Sequence, residues 1–185
     1  MKVGRLIARI TIGGLFIGHG TQKWFGWFDG PGLDGAAPMM ESLGLRPGRR
    51  NAIAASASEA IGGAMLAAGA LTPVAAATLI GTMVTAIRTV HLKNGPWSSN
   101  GGYEYNAVLI AALLALVDGG PGKFSLDGAL GIEETGGGWT LAALLAGVAG
   151  SAIAIEAGHR HPEQAAPPAT ASPASATAET VNGSA

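Results

Sequence analysis

Five stretches of this chain are rich in apolar residues, and most ionisable side chains lie outside them. Between Ala52 and Ile87, for example, Glu59 is the only ionisable residue. The second and third stretches are close to the roughly twenty residues that an α-helix needs to cross a bilayer. The pattern predicts an all-α membrane protein with four transmembrane helices and a fifth, C-terminal transmembrane helix, at about Leu6–Phe25, Ala52–Ala70, Pro73–His91, Glu104–Val117 and Trp139–Ile155.

The overall composition supports a membrane protein and excludes several kinds of chemistry. Of the 185 residues, 12% are charged and 48% are hydrophobic, whereas soluble domains carry about 25% charged residues. A soluble helical core would need polar helix faces, which the sequence lacks. The absence of cysteine excludes disulfides, thiolate metal sites and dithiol exchange by this chain. The net charge of −1 and the lack of a Lys/Arg cluster predict no nucleic-acid partner.

The chain is predicted to contain a membrane domain at 1–130, an additional transmembrane helix at 131–158 and a disordered Ala/Pro/Ser/Thr-rich tail at 159–185. In the loop between the first two helices, we expect a short helix on the membrane surface with Pro38 in its first turn. Thr72 is the predicted N-cap of the third helix. Gly14 and Gly18 form a G-x-x-x-G pair, which permits close helix approach in lipid and favours a homo-oligomer.

Counting helices places most polar and aromatic segments on one side of the membrane, because successive helices run in opposite directions. We call the side of the N-terminus side A and the opposite side, where the first helix ends, side B. Three of the four tryptophans and both tyrosines lie on side B. The segments that gather there are His19–Phe28, His91–Trp97 and Gly101–Asn106, so the candidate site is predicted on this side.

Ionisable side chains within these helices mark a functional or a structural site, because such groups are costly inside a membrane. Glu59 lies about eight residues into the second helix, and His19 lies within the first helix. Glu104 is expected inside the membrane boundary and packed against protein, because the fourth apolar stretch is short. The structural alternative pairs Glu59 with Arg88 or His19 to hold the helices together. Arg88 and Lys23 are otherwise expected to extend toward the lipid headgroups.

Four motifs, considered together, are characteristic of one family of membrane proteins. They are G-x-x-x-G-H-G-x-x-K at Gly14–Lys23 with the following WFGWF, Glu59-Ala-Ile-Gly-Gly, His91-Leu-Lys-Asn-Gly95 and Gly101-Gly-Tyr-Glu-Tyr-Asn106. In this combination the chain resembles the DoxX family, related to the DoxD subunit of thiosulfate:quinone oxidoreductase, over roughly residues 1 to 130. The resemblance implies a four-helix transmembrane bundle in the bacterial plasma membrane, linked to quinone-dependent redox or oxidative-stress chemistry. The fifth helix and the tail lie outside it.

The first functional hypothesis is therefore a membrane subunit of a quinone-linked oxidoreductase. A quinone head group would be bound, and its protons carried, by carboxylate and imidazole groups at the positions that resemble the polar positions of the family. Electrons would come from a partner protein subunit or from a bound cofactor. The candidate catalytic residues are His19, Glu59, His91 and Glu104, and the candidate cofactor-binding residues are Trp24, Trp97, Tyr103 and Asn106.

The alternative hypothesis is a non-catalytic membrane anchor or scaffold that recruits a soluble redox enzyme. In that case Glu59 and His19 only hold helices together. Small-solute transport is disfavoured, because the sequence contains no inverted repeats. Metal or haem binding by His19 and His91 lacks any local ligand spacing, so no metal site is predicted.

Overall fold

The structure, a computed structural model, describes residues 3–161 and is all-helical over that range. A π-helical turn at Ile87–His91 and a 3-10 turn at Leu92–Asn94 extend the helix that begins at Thr72, and a second 3-10 turn at Ser98–Asn100 precedes the helix that begins at Glu104. The all-α prediction is therefore confirmed, whereas most of the predicted disordered tail lies outside the described residues. The helices are α1 (Val3–Phe25), α2 (Gly32–Ser42), α3 (Gly48–Ala68), α4 (Thr72–Ala86), α5 (Glu104–Gly119), α6 (Leu126–Leu130) and α7 (Gly137–His159).

Each predicted transmembrane segment coincides with one long helix, although the helices differ in hydropathy. Two helical stretches in the described chain, Thr72–Asn94 and Gly137–His159, are long and apolar enough to cross a membrane by length and composition. Helices α1 and α3 have 23 and 21 residues, but charged side chains interrupt both of them. Helix α5 is shorter, with 16 residues.

The long helices pack as two close pairs around a shared apolar core. The most extensive contacts are between α1 and α3 and between α4 and α7, while α4 also packs against α3 and α5. The core between these helices contains Phe16, Leu66, Leu79, Leu113 and Val117, all nearly or fully buried. A smaller apolar cluster, which includes Met40, Leu45, Ala52 and Ile155, joins α2 and the loop after it to α3 and α7.

Three glycines allow α1 and α3 to approach each other until their backbones touch. A Cβ added at Gly13 would lie 2.5 Å from the carbonyl oxygen of Gly63, and one added at Gly20 would lie 2.6 Å from the nitrogen of Ala60. Gly14 and Gly18, the predicted close-approach pair, have no neighbouring atom within 4 Å of such a Cβ. The helix contact inside this chain therefore uses Gly13 and Gly20, and not the predicted pair.

A buried aspartate in α6 caps α4 and thereby joins α6 to the hairpin between α3 and α4. The carboxylate of Asp127 accepts hydrogen bonds from the backbone N–H groups of Leu71 and Thr72, at 2.7 and 3.0 Å, and from the Thr72 hydroxyl at 2.8 Å. The N-cap residue is Leu71, in the left-handed region with φ +45°, so the predicted Thr72 N-cap was wrong by one residue. The Thr72 hydroxyl donates to Asp127 and does not itself accept from the helix N-terminus. The capping oxygens therefore come from a residue that is distant in sequence.

Helix α2 begins earlier than the sequence pattern predicts. It starts at Gly32, so Pro38 lies inside the helix and not in its first turn. Proline has no N–H to donate to the preceding turn, which leaves the carbonyl of Asp34 without its usual helical partner. Ala36 and Met40 are buried against α3, so α2 covers the side B end of this helix.

Candidate functional site

A cavity of about 450 Å³ lies on the side B half of the molecule, beside α4 and between α3 and α7. Its walls are formed mainly by small residues, which leave room between the helices. Met39, Met40, Leu43 and Leu45, from α2 and the loop after it, line one end. The other walls include Ala54 and Ser58 of α3, Gly81 of α4, and Gly147, Gly150 and Ala154 of α7.

An ion pair between α1 and α3 lies at the wall of this cavity. The Nζ atom of Lys23 is 2.5 Å from Oε2 of Glu59, and their side chains are 22% and 6% exposed. The pair forms because the Gly20 contact holds α1 against α3 beside Ser56 and Ala60, and Lys23 follows Gly20 by about one helical turn. Glu59 is therefore buried with a partner, as a charged group inside a helical bundle must be.

The partner of Glu59 differs from both residues that the structural alternative named. Arg88 is exposed within the π-helical turn, and His19 is exposed on the outer surface of α1. Lys23, which was expected to extend toward the headgroups, takes this role instead. The correction follows from helix phase, because Lys23 and Gly20 share the face of α1 that contacts α3.

Hydroxyl groups form the other polar feature of the cavity. Threonines line one face of the helix at positions 78, 82, 85 and 89, and each hydroxyl donates to the carbonyl four residues earlier, at 2.9 to 3.2 Å. The Thr85 hydroxyl is also 2.9 Å from Oγ of Ser151, which ties α4 to α7. Since the hydroxyl hydrogens are engaged within the helix, the threonines offer oxygen lone pairs to the cavity. Ser58 also lines the cavity and has no side-chain hydrogen bond within residues 3–161.

Two of the predicted catalytic residues organise the loop between α4 and α5 and do not line the cavity. Nδ1 of His91 is 2.7 Å from the carbonyl oxygen of Gly101, and the carboxylate of Glu104 accepts a 2.9 Å hydrogen bond from the N–H of Ser98. Glu104 is exposed, so the expectation that it packs against protein was wrong. Its position at the start of α5 explains this, because its carboxylate turns back to the preceding loop.

The remaining predicted site residues also lie outside the cavity. His19 is exposed, the Trp24 ring stacks on Phe25 with centroids 5.6 Å apart, and Trp97 is 62% exposed. Tyr103 is half-buried at the N-terminus of α5. Buried Asn106 donates to Sδ of Met83 at 3.4 Å.

Among the predicted site residues, Glu59 alone lines the cavity. The sequence did contain one signal for the residues that were missed. Thr78, Thr82, Thr85 and Thr89 recur at helical spacing on one face of an otherwise apolar stretch. The contribution of α7 had no such signal, because its small residues are typical of any tightly packed membrane helix.

The described residues contain no group of three or more His, Cys, Asp or Glu side chains close enough to hold a metal ion. Over residues 3–161, then, the cavity presents one ion pair, several hydroxyl oxygens and apolar walls. The apolar walls can bind an uncharged, flat or chain-like molecule. The ion pair and the hydroxyl groups can offer that molecule hydrogen bonds and protons.

These features together define, over residues 3–161, an all-helical protein with two helices long and apolar enough to cross a membrane and with a buried ion pair inside the helix bundle. Comparison with known proteins agrees with this class. Residues 4–92 match the family description DoxX, and the chain belongs to this family of membrane proteins. The match ends before the Gly101–Asn106 motif and before α5 and α7, although the resemblance was expected to extend to about residue 130.

One curated relative is similar over a longer part of the chain. It is the Bacillus subtilis (strain 168) protein named "Putative oxidoreductase CatD". The two sequences are 31% identical over 115 residues, which is 62% of this chain and 79% of the relative. No solved structure matches the chain.

Proposed function

We propose that this protein is a multi-pass protein of the bacterial plasma membrane and a subunit of a quinone-linked redox system. In this proposal α1, α3, α4 and α5 form the transmembrane four-helix bundle, and α7 is a fifth transmembrane helix. At 1.5 Å per residue, a helix of 23 residues is about 35 Å long, enough to cross the roughly 30 Å apolar core of a bilayer. The membrane nature of the family supports the proposal.

The charges within α1 and α3 are compatible with a transmembrane position because each has a partner inside the protein. Lys23 and Glu59 neutralise each other. Arg9 is 1% exposed and donates to the carbonyl oxygens of Pro121 and Phe124 at 2.5 and 2.7 Å. An arginine or lysine that faced lipid without such partners would oppose insertion by several kcal/mol.

The observation that carries the redox proposal is the Lys23–Glu59 pair in the wall of an otherwise apolar cavity. The cavity volume of about 450 Å³ lies within the range of about 300–1,000 Å³ that is usual for small-molecule sites. A quinone fits this donor set, since its ring needs apolar walls and its carbonyl oxygens need hydrogen-bond donors. Lys23 supplies N–H donors beyond the one used by Glu59, and Ser58 supplies a free hydroxyl.

A bound quinone would accept two electrons from a partner subunit and two protons, one on each carbonyl oxygen. The Lys23 ammonium is the group that can hold a carbonyl oxygen and transfer a proton to it. The Glu59 carboxylate, which holds no proton in the ion pair, would then take up a proton from solvent and pass it to the neutral Lys23 amine, because the two side chains are in direct contact. Both protons would thus come from solvent. The name of the Bacillus subtilis relative, which contains the word oxidoreductase, supports a redox setting for this chain.

Binding of a short-tailed ubiquinone analogue to the purified full-length chain in mild detergent tests this proposal. We expect one bound analogue per chain, and at least tenfold weaker binding in Glu59→Gln. Ala54→Phe, which puts a bulky ring into the cavity wall, should also abolish binding. Ala64→Phe, on an exposed part of α3 outside the cavity, is the matched control and should bind as the wild type does. Equal binding by Ala54→Phe and Ala64→Phe would exclude the cavity as the quinone site.

A second candidate function is a non-catalytic anchor that recruits a soluble redox enzyme. One observation favours it: the Lys23–Glu59 contact is direct and the Glu59 side chain is only 6% exposed, as in a purely structural ion pair. This function predicts no quinone binding by any variant. It also predicts a soluble protein that co-purifies in stoichiometric amount with both the wild type and Glu59→Gln.

A further inference from the structure

A second cavity lies at the N-terminal end of α1, whereas Lys23 and the first cavity lie toward the C-terminal end of that helix. It has a volume of about 450 Å³ and is formed by the first turn of α1 and by residues 121–124. Two cations, Arg5 and Lys123, line it together with apolar side chains that include Leu6 and Phe124. The described lining contains no acidic side chain.

The two cations keep their positive charge available, because no carboxylate within residues 3–161 forms an ion pair with either of them. Nη1 of Arg5 donates to the carbonyl oxygens of Gly119 and, at 2.9 Å, of Gly120. These bonds fix the guanidinium in position without neutralising it. Lys123 is exposed and has no hydrogen bond within the same range.

The acidic groups nearest in sequence do not compensate these charges. Asp127 is 2% exposed, and its carboxylate is occupied by the backbone and hydroxyl of the α4 N-terminus. Asp118 is exposed at the end of α5 and does not line the cavity. The cavity therefore has the charge complementary to an anion.

The surroundings of the cavity are apolar, which distinguishes it from a site for a soluble anion. Phe124 is 59% exposed, and Leu126 and Leu130, the first and last residues of α6, are 52% and 69% exposed. Buried Arg9 fixes the position of the loop by donating hydrogen bonds to the carbonyl oxygens of Pro121 and Phe124. The segment thus presents fixed cations beside outward-facing apolar side chains, the arrangement expected where protein meets lipid headgroups.

We propose that this second cavity binds the phosphate of one anionic phospholipid between Arg5 and Lys123, with its acyl chains against Leu6 and Phe124. The guanidinium and the ammonium form charge-assisted hydrogen bonds to phosphate oxygens. The apolar side chains make the ligand a membrane lipid, not a free phosphate ester. This site rests on the proposed membrane position of the chain but does not depend on the proposed quinone binding.

Native mass spectrometry of the full-length chain in mild detergent tests this site, with phosphatidylglycerol and phosphatidylcholine added in separate titrations. We expect one tightly bound phosphatidylglycerol and at least fivefold weaker phosphatidylcholine. Lys123→Gln should weaken phosphatidylglycerol binding about fivefold, the effect of one cation near a lipid surface. Lys93→Gln removes an exposed lysine from the opposite side and should change binding by less than about twofold.

Three outcomes would overturn the proposal: equal losses in Lys123→Gln and Lys93→Gln, equal affinity for the two lipids, or full competition by soluble glycerol 1-phosphate. The first would show unspecific headgroup attraction, and the last would show a site for a free phosphate ester. Arg5→Gln should weaken binding at least as much as Lys123→Gln. Arg5 also forms hydrogen bonds to the carbonyl oxygens of Gly119 and Gly120, so Arg5→Gln could misfold. In that case Lys123→Gln tests the proposal, because Lys123 has no hydrogen bond or ion pair to lose within residues 3–161.

Discussion

The close contact between α1 and α3 predicts that alanine substitutions at Gly18 and Gly20, two residues apart on α1, differ in their effect on stability. In Gly20→Ala the new Cβ would lie 2.6 Å from the nitrogen of Ala60 and 2.7 Å from the carbonyl oxygen of Ser56. Both are backbone atoms of α3, which cannot rotate away as a side chain can. In Gly18→Ala the new Cβ has no neighbour within 4 Å. Alanine therefore clashes with α3 at position 20 and meets no neighbouring atom at position 18.

The size of the difference follows from two opposing terms. Replacing glycine by alanine within a helix is favourable by about 1 kcal/mol, and this gain is common to both variants. At Gly20 the helices must separate until the contact of 2.6 Å reaches about 3.4 Å, and overpacking of this kind costs about 1–3 kcal/mol. We expect Gly20→Ala to be less stable than Gly18→Ala by about 1–3 kcal/mol. Separation near Gly20 also strains the Lys23–Glu59 contact, one turn further along.

Equilibrium unfolding in mixed micelles, with increasing mole fraction of sodium dodecyl sulfate and far-UV circular dichroism as the signal, measures this difference. Gly18→Ala serves as the matched control because it has the same change in composition and helix propensity. Equal unfolding midpoints for the two variants would refute the reasoning, since they would mean that α1 and α3 do not meet at Gly20.

Three further predictions concern side-chain contacts and use the same unfolding measurement. Glu59→Gln should lower stability by about 3–5 kcal/mol, since it leaves Lys23 unpaired. The double variant with Lys23→Met should recover part of this loss, and no recovery would mean that the two side chains are not coupled. Asp127→Asn should cost about 2 kcal/mol, because it removes a charged acceptor from the α4 N-terminus. Exposed Asp118→Asn is its control, and equal losses would show that Asp127 caps nothing. Ser151→Ala should cost less than about 1 kcal/mol, because its partner keeps a second hydrogen bond; a larger loss would contradict that account.

Much of the helical architecture could be predicted from the sequence, because it depends on local composition. Long apolar stretches bounded by glycine, proline and charged residues predicted the positions of α1, α3, α4, α5 and α7. The ends were less predictable where they depend on distant residues. The start of α4 is one example, since its capping group is Asp127, which follows the first residue of the helix, Thr72, by 55 positions.

The candidate site was harder to predict, because membership in a cavity depends on helix rotation. Counting helices placed Glu59, His91 and Glu104 on one side of the membrane. It did not determine which of them face inward. Glu59 faces α1 because Gly20 and Gly63 set the contact between these helices. His91 and Glu104 satisfy loop backbone groups instead.

The position of α7 links the fold to the proposed function. The family match covers α1 to α4, which contribute the Lys23–Glu59 pair and the threonine face. Those helices alone would leave the threonine face open on one side. Gly147 lets α7 lie against α4, since a Cβ there would be 2.9 Å from the carbonyl oxygen of Ala77. Helix α7 thus turns a polar groove on α4 into a cavity, so the shape of the site depends on a helix outside the family match.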